Sequence, residues 1–180
     1  MYKTVVFDLD GTLLNTLTDL ADAGNRLCRK YGWPTHERQA YRYFVGNGIP
    51  KLVERLAPAD QRTPAVLEAA LADFKRDYGQ HLRDTTAPYP GIPEMLAKLK
   101  ANGVQLAVFS NKADALAKEV VKDYFGTQYF TIVRGQMTGV APKPAAEGTN
   151  ALLQALHADP ASTLYVGDSN VDVETAHNAN

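Results

Sequence analysis

Several residue types and patterns are scarce in this 180-residue sequence, and each absence excludes a class of protein. A single cysteine, Cys28, cannot form an internal disulfide, and no acid or histidine beside it in the sequence suggests a nucleophile. No apolar run approaches the roughly 18 residues of a membrane-spanning helix, and the first aspartate comes too early for a signal peptide. The formal net charge of −1 gives no electrostatic reason to expect nucleic acid or an anionic membrane as a partner. We therefore expect a cytoplasmic protein.

What the sequence does contain is a series of short apolar segments that alternate with helical patterns. Four of these segments predict strands: KTVVFDLD (3–10), VQLAVFSNK (104–112), YFTIVRG (129–135) and STLYVGDSN (162–170). Because helices separate most of them, the strands should pair in parallel, in an α/β fold with a Rossmann-like sheet whose ligands bind at the carboxyl ends of the strands. Three of the four segments end in polar residues at that edge.

The segment from 14 to 85 interrupts this alternation, because it contains helical patterns and no convincing strand. We predict an inserted all-helical cap domain at 14–85 and a discontinuous catalytic core at 1–13 and 86–180, with the insert placed to act as a lid. Four aromatic residues should pack the small core of the cap: Trp33, Tyr41, Tyr43 and Phe44. The stretch GNGIPK lacks a preceding strand and a third glycine, so we interpret Gly46, Gly48 and Lys51 as a cap loop facing the active site rather than a dinucleotide site.

The polar strand ends bring together a set of groups suited to a metal and a phosphate. Parallel pairing would gather these residues at one edge: Asp8, Asp10, Ser110, Asn111, Lys143, Asp168 and Asp172. Four carboxylates in one pocket repel each other unless a cation lies among them, and oxygen-only ligands favour a hard ion such as Mg²⁺. A lysine ammonium and a serine hydroxyl are suited to phosphate oxygens.

These motifs resemble those of the haloacid dehalogenase-like hydrolases. DLDGT, SNK, the Lys143–Pro144 pair and GDSNVD match the four motifs of that superfamily in order, over essentially the whole chain. The helical insert resembles the first-position cap of the superfamily, and YFVGNGIPKLVERLAP is similar to the cap of phosphoglycolate phosphatases. The resemblance implies a Mg²⁺-dependent phosphomonoesterase that acts on a small phosphorylated metabolite, with 2-phosphoglycolate as the leading candidate.

The resemblance also implies a role for each matching residue. Asp8 would attack phosphorus and form an aspartyl phosphate, while Asp10 would act as general acid and then as general base. Thr12 would orient Asp10. Ser110 and the backbone amide of Asn111 would hold the phosphoryl group, and Lys143 would offset its charge.

The Mg²⁺ site implied by the family combines side chains and main chain. Asp8, Asp168 and the main-chain oxygen of Asp10 would bind the ion. Asp172 would bind it through water or would brace Lys143.

Other functions stay open on the sequence alone. A sugar-phosphate mutase, a pyrophosphatase or a phosphonate hydrolase would differ mainly in the cap. A phosphoaccepting signalling domain or a non-catalytic binding protein would share the acidic residues, although a signalling domain carries its acceptor aspartate on a middle strand. Relative to the family pattern the chain lacks the C-terminal end, so we expect LYVGD to form an exposed sheet edge and the protein to be a monomer or a weak homodimer.

Overall fold

The computed structural model describes residues 2–179, and they divide into two compact units. The core unit runs up to Leu14 and resumes at Pro88, while the helical unit comprises Asn15–Ala87. In residues 2–179, no helix is both long enough and apolar enough to cross a membrane.

The strands and helices follow the alternation expected from the sequence. The strands are Thr4–Phe7 (β1), Leu14–Asn15 (β2), Ala87–Pro88 (β3), Gln105–Ala113 (β4), Ile132–Gln136 (β5) and Thr163–Val166 (β6). The helices are Leu17–Tyr31 (α1), Arg38–Phe44 (α2), Ile49–Leu56 (α3), Pro64–His81 (α4), Ile92–Ala101 (α5), Asp114–Phe125 (α6), Ala146–Leu156 (α7) and Asn170–Asn178 (α8). Short 3₁₀ turns occupy 59–61 and 160–162.

The core unit contains a parallel sheet in the order β5, β4, β1, β6. Val5 in β1 stands beside Leu106 in β4 and Leu164 in β6, so the central strand is paired on both sides. One cluster of buried apolar residues joins β1 and β4 to α7, and its members are Val6, Ala107, Phe109, Leu152, Leu153 and Leu156. All four residues of β1 are buried, as expected for a central strand of a parallel sheet. The predicted α/β fold with a Rossmann-like sheet is confirmed.

One irregularity in this sheet bears on the site. The pairing of β4 with β5 is regular from Ala107 to Phe109 and resumes at Ala113 after a shift in register. The residues between, 110–112, therefore leave the ordinary alternation of a strand. Such interruptions re-aim side chains and occur often beside active sites.

The helical unit is built from α1 to α4. The long helices α1 and α4 pack on each other, and the shorter α2 and α3 pack against them. Of the four aromatic residues predicted for this core, Trp33 and Tyr41 are buried, and Phe44 is half-buried with its ring centroid 5.5 Å from that of Tyr41. Tyr43 was expected in that core and is instead 83% exposed, because residues two apart in a helix point about 200° apart and α2 buries only Tyr41.

A buried carboxylate holds the two ends of the helical unit together. Asp19 in α1 is 2% exposed and accepts hydrogen bonds from the backbone N–H groups of Thr85 and Thr86, both at 2.9 Å. The hydroxyls of the same two threonines also donate to it. The segment that precedes β3 is thereby fixed to the first helix of the unit.

We expect Asp19→Asn to destabilise the helical unit by about 2–4 kcal/mol, because the new amide NH₂ would face buried donors that then lack an acceptor. Urea unfolding followed by far-UV circular dichroism measures the change. The matched control is Asp22→Asn, three residues along the same helix, where the side chain is exposed and the expected effect is below about 0.5 kcal/mol. Equal stability of the two variants would contradict the role given to Asp19.

Candidate active site

The site begins with Asp8, which follows β1 directly and is buried. Its backbone N–H donates to the carbonyl of Val166 in β6 at 2.8 Å, which fixes the carboxyl end of β1 against its neighbour. Its Oδ1 accepts from Lys143 Nζ at 2.7 Å. A buried carboxylate is therefore held in one orientation at the edge of the sheet where ligands bind.

Lys143 is the centre of a buried network. Its Nζ also lies 2.8 Å from Asp172 Oδ1, 3.1 Å from the Tyr165 hydroxyl and 3.2 Å from the Phe109 carbonyl oxygen. Burial alone would lower the pKa of Lys143, but Asp8, Tyr165 and Asp172 raise it above its usual value. The lysine is therefore charged, and one cation serves two buried carboxylates.

Burial, together with the surrounding charges, determines how Asp8 titrates. Burial raises the pKa of Asp8 to about 7, Lys143 opposes that shift, and the neighbouring Asp172 and Asp10 add to it. The pocket thus carries more negative charge than Lys143 offsets. A further cation among the carboxylates would offset this excess of negative charge.

Three carboxylates are arranged so that one ion could touch all of them. Ligand oxygens of Asp8, Asp168 and Asp172 lie within 4.8 Å of one another. Asp172 has other partners as well, because its Oδ2 accepts from the N–H and the hydroxyl of Ser169 in a capping box at the start of α8. Its Oδ1 accepts from Lys143, which agrees with the bracing alternative predicted for this residue.

The hydrogen-bond partner of Thr12 is not the predicted one. Its hydroxyl was expected to orient Asp10, but it donates to Asp168 Oδ1 at 3.4 Å. The chain passes close to Asp168 at the preceding residue, Gly11, which has φ +90° and where a Cβ would meet the Asp168 carboxylate. Thr12 therefore supports the acidic cluster.

Ser110 and Asn111 lie in the interrupted stretch of β4, and both have definite roles there. The Ser110 hydroxyl is buried and accepts from the backbone N–H of Lys112 at 3.1 Å. The Asn111 side chain accepts from Lys143 N–H at 2.8 Å and donates to the Lys143 carbonyl at 3.2 Å. The prediction concerned only the backbone amide of Asn111, whereas this two-way contact of its side chain positions Lys143.

Asp10 has a lysine partner of its own. Lys112 Nζ lies 3.0 Å from Asp10 Oδ1 and 3.3 Å from Oδ2. The site thus contains two buried lysines with different duties, Lys143 on Asp8 and Lys112 on Asp10.

Sequence reasoning did not assign Lys112 or Tyr165 to the site. The signal for Lys112 was its place in SNK, directly after two polar residues at the end of a strand. The signal for Tyr165 was a hydroxyl between the apolar residues Leu164 and Val166, two residues before Gly167. Burial raises the pKa of Tyr165, so its hydroxyl stays protonated and can act as both donor and acceptor.

The proposed cap loop lies between α2 and α3 of the helical unit. Gly46 and Gly48 both have positive φ, and Arg55 holds the loop by donating to the carbonyl of Phe44. Lys51 pairs with Glu54 one turn along α3, with its side chain about half exposed. That this loop faces the active site stays a prediction.

Comparison with known proteins places this geometry in a family. Residues 5–180 match the haloacid dehalogenase-like hydrolases. The phosphoglycolate phosphatase of Thiobacillus denitrificans is 32% identical over 98% of this chain and 79% of that protein. The corresponding enzyme of Neisseria meningitidis is 33% identical over 97% of this chain and 75% of that protein.

A solved structure extends the likeness to the whole fold. A Lactobacillus delbrueckii protein provisionally described as a phosphoglycolate phosphatase superimposes with a TM-score of 0.92 at 29% identity, covering 99% of this chain and 83% of the other. The prediction that this chain is a phosphatase of the resembled family is confirmed. The chain belongs to the haloacid dehalogenase-like hydrolases.

Proposed function

We propose that the protein is a Mg²⁺-dependent phosphomonoesterase acting on a small phosphorylated metabolite, with 2-phosphoglycolate as the preferred substrate. The observation that carries the proposal is the buried Asp8 carboxylate, fixed by Lys143 at 2.7 Å beside an acidic cluster and two residues before a second carboxylate. The names of the relatives support the substrate. We infer that the helical unit is the cap domain of this enzyme.

In the first step, a carboxylate oxygen of Asp8 forms a bond to phosphorus while the bond from phosphorus to the ester oxygen breaks. The departing alcohol oxygen takes its proton from the Asp10 carboxyl. In the second step, Asp10 accepts a proton from water, the water oxygen bonds to phosphorus, and the bond from phosphorus to Asp8 breaks to release phosphate. Both carboxylates return to their starting states.

Lys143 and Ser110 serve the phosphoryl group in this proposal. The ammonium of Lys143 favours the ionised form of Asp8 and offsets charge that develops on the phosphoryl oxygens, while the Ser110 hydroxyl donates to one of them. Tyr165 and Asn111 contribute by holding Lys143 in place.

The donor set of the acidic cluster fits Mg²⁺. Its ligands are carboxylate oxygens with excess negative charge, and they suit a hard cation that keeps several waters. We assign Asp8, Asp168 and the main-chain oxygen of Asp10 as ligands, with Asp172 behind them as the brace of Lys143. When bound, the ion supplies positive charge that favours the approach of a phosphate dianion to a carboxylate.

Phosphate release from a panel of compounds tests the proposed function. The panel contains 2-phosphoglycolate, a hexose phosphate, pyrophosphate and a phosphonate, each with Mg²⁺ and with EDTA. We expect release that requires Mg²⁺ and is fastest with 2-phosphoglycolate. Fastest release from another compound of the panel would support a different branch of the family. Release that persists in EDTA would refute the requirement for Mg²⁺.

Substitution of Gly11 tests the metal site without replacing any of the proposed metal ligands. A Cβ at Gly11 would lie 2.4–2.8 Å from the carboxylate atoms of Asp168, too close for either to stay in place. We expect Gly11→Ala to displace Asp168 and to raise the Mg²⁺ concentration for half-maximal activity by about 10-fold or more, a size typical of disturbed metal surroundings.

The matched control for this variant is Gly103→Ala. Gly103 also has positive φ, +74°, but nothing lies within 4 Å of a Cβ there, so the substitution adds backbone strain alone. A Mg²⁺ titration of phosphate release compares the two variants. An unchanged Mg²⁺ requirement in Gly11→Ala would exclude Asp168 from the metal site.

A further inference from the structure

Lys112 occupies an unusual position for a lysine. Its side chain is 3% exposed, although lysine is almost never fully buried unless it is paired. Its partner is Asp10, whose side chain is 20% exposed, so the ion pair reaches the surface of the pocket on the aspartate side. A ligand that entered the pocket would meet Asp10 first and Lys112 behind it.

Hydrogen bonds hold Lys112 at its backbone N–H and at its side-chain ammonium. Its backbone N–H donates to the Ser110 hydroxyl at 3.1 Å, within the interrupted stretch of β4. Its ammonium contacts both oxygens of Asp10, which is 102 positions away in sequence. Lys143 contacts Asp8 and Asp172 instead. Lys143 therefore pairs with Asp8, which attacks phosphorus in the proposed mechanism. Lys112 pairs with Asp10, which meets the alcohol oxygen in that mechanism.

We propose that Lys112 selects substrates whose alcohol portion carries a carboxylate, and that this carboxylate takes the place on Lys112 that Asp10 occupies in the structure. The inference rests on the proposed function, because it assumes that Asp10 meets the ester oxygen. In 2-phosphoglycolate the carboxylate is attached to the carbon that bears that oxygen. A cation in contact with Asp10 is therefore within reach of the carboxylate of the substrate.

The exchange of one carboxylate for another accounts for the selectivity. When the carboxylate of the substrate replaces Asp10, the buried ammonium keeps an anionic partner and Asp10 becomes able to reach the ester oxygen. A substrate with a neutral alcohol brings no carboxylate to exchange, so its binding does not favour the release of Asp10 from Lys112. A site built around a charged or hydrogen-bonding group of the substrate strongly rejects analogues that lack that group.

The experiment compares two esters that differ in one group. In 2-hydroxyethyl phosphate, a neutral hydroxymethyl group replaces the carboxylate of 2-phosphoglycolate. We expect kcat/KM of the native enzyme to favour 2-phosphoglycolate by about 10²-fold or more, since a site built around a charged group of the substrate rejects an analogue that lacks that group. Lys112→Met should bring the two values together, mainly by loss on 2-phosphoglycolate, and Lys112→Arg should restore part of the preference.

Two controls separate selectivity from general damage. Lys118→Met removes an exposed lysine of α6 that pairs with Asp114, and it should leave the ratio of the two kcat/KM values unchanged. Thermal unfolding by circular dichroism shows whether Lys112→Met is folded. Equal losses on both esters, or a native enzyme without preference, would overturn the role of Lys112 in selection.

Calorimetric titration separates this inference from the proposed function. Each ester is titrated in Mg²⁺ into Asp8→Asn and into the double variant Asp8→Asn/Lys112→Met, so that binding is measured without turnover. Tighter binding of 2-phosphoglycolate that disappears with Lys112 supports the selection even if the native enzyme hydrolyses neither ester. Equal binding of both esters to both variants refutes it even if the native enzyme is an active phosphatase.

Discussion

Replacing Asp8 with asparagine is expected to lower kcat for phosphate release by about 10⁴-fold or more, the scale found when a nucleophile or its activating partner is removed. An amide has nearly the same shape as a carboxylate but is a far weaker nucleophile. Because the proposed mechanism has Asp8 form the bond to phosphorus, the loss should fall on kcat and leave KM within a few-fold of the native value. Steady-state phosphate release at saturating 2-phosphoglycolate measures it.

The fold of Asp8→Asn should remain intact, which makes the loss interpretable. In the native protein Asp8 and Asp172 share one lysine, and the pKa of Asp8 is raised to about 7 by burial. The substitution removes one buried charge and leaves Lys143 paired with Asp172. We therefore expect the variant to melt at or above the temperature of the native protein when both are measured in EDTA. Retention of more than a tenth of the native kcat would show that Asp8 is not the nucleophile.

Much of the candidate site could be predicted because it depends on strand ends. Asp8, Ser110 and Asp168 come at the ends of apolar runs that predict strands, and parallel pairing then brings strand ends to one edge. The alternation of strands and helices gave the fold class for the same reason.

The contacts between side chains could not be predicted in this way. The contact of Lys112 with Asp10 depends on the shift in register after Phe109, which no pattern in the sequence marks. The contact of Asn111 with the backbone of Lys143 joins positions 32 apart across a loop. The contact of Thr12 with Asp168 joins positions 156 apart. In each case the partner of a side chain depends on how distant parts of the backbone are placed, which the pattern of apolar and polar residues does not specify.

Lys143→Met is expected to destabilise the core unit by about 3–5 kcal/mol, the usual cost of removing one partner of a buried ion pair. The substitution leaves Asp8 and Asp172 facing each other, each less than a tenth exposed, with no cation between them. Urea unfolding in EDTA measures the loss. The matched control, Lys118→Met, breaks a surface pair whose lysine side chain is 58% exposed, and it should cost less than about 1 kcal/mol.

The same variant should also respond to pH in a definite direction. Lys143 lowers the pKa of Asp8, so its removal raises that pKa further above the value in the unfolded chain. The folded variant then binds a proton that the unfolded chain releases, and its stability falls as pH rises through the pKa of the folded state. Lys143→Met should therefore lose more stability at pH 8 than at pH 5, relative to the native protein at each pH. An equal loss at both values would mean that the two carboxylates find another cation, and the buried lysine would then not be what keeps Asp8 ionised for attack.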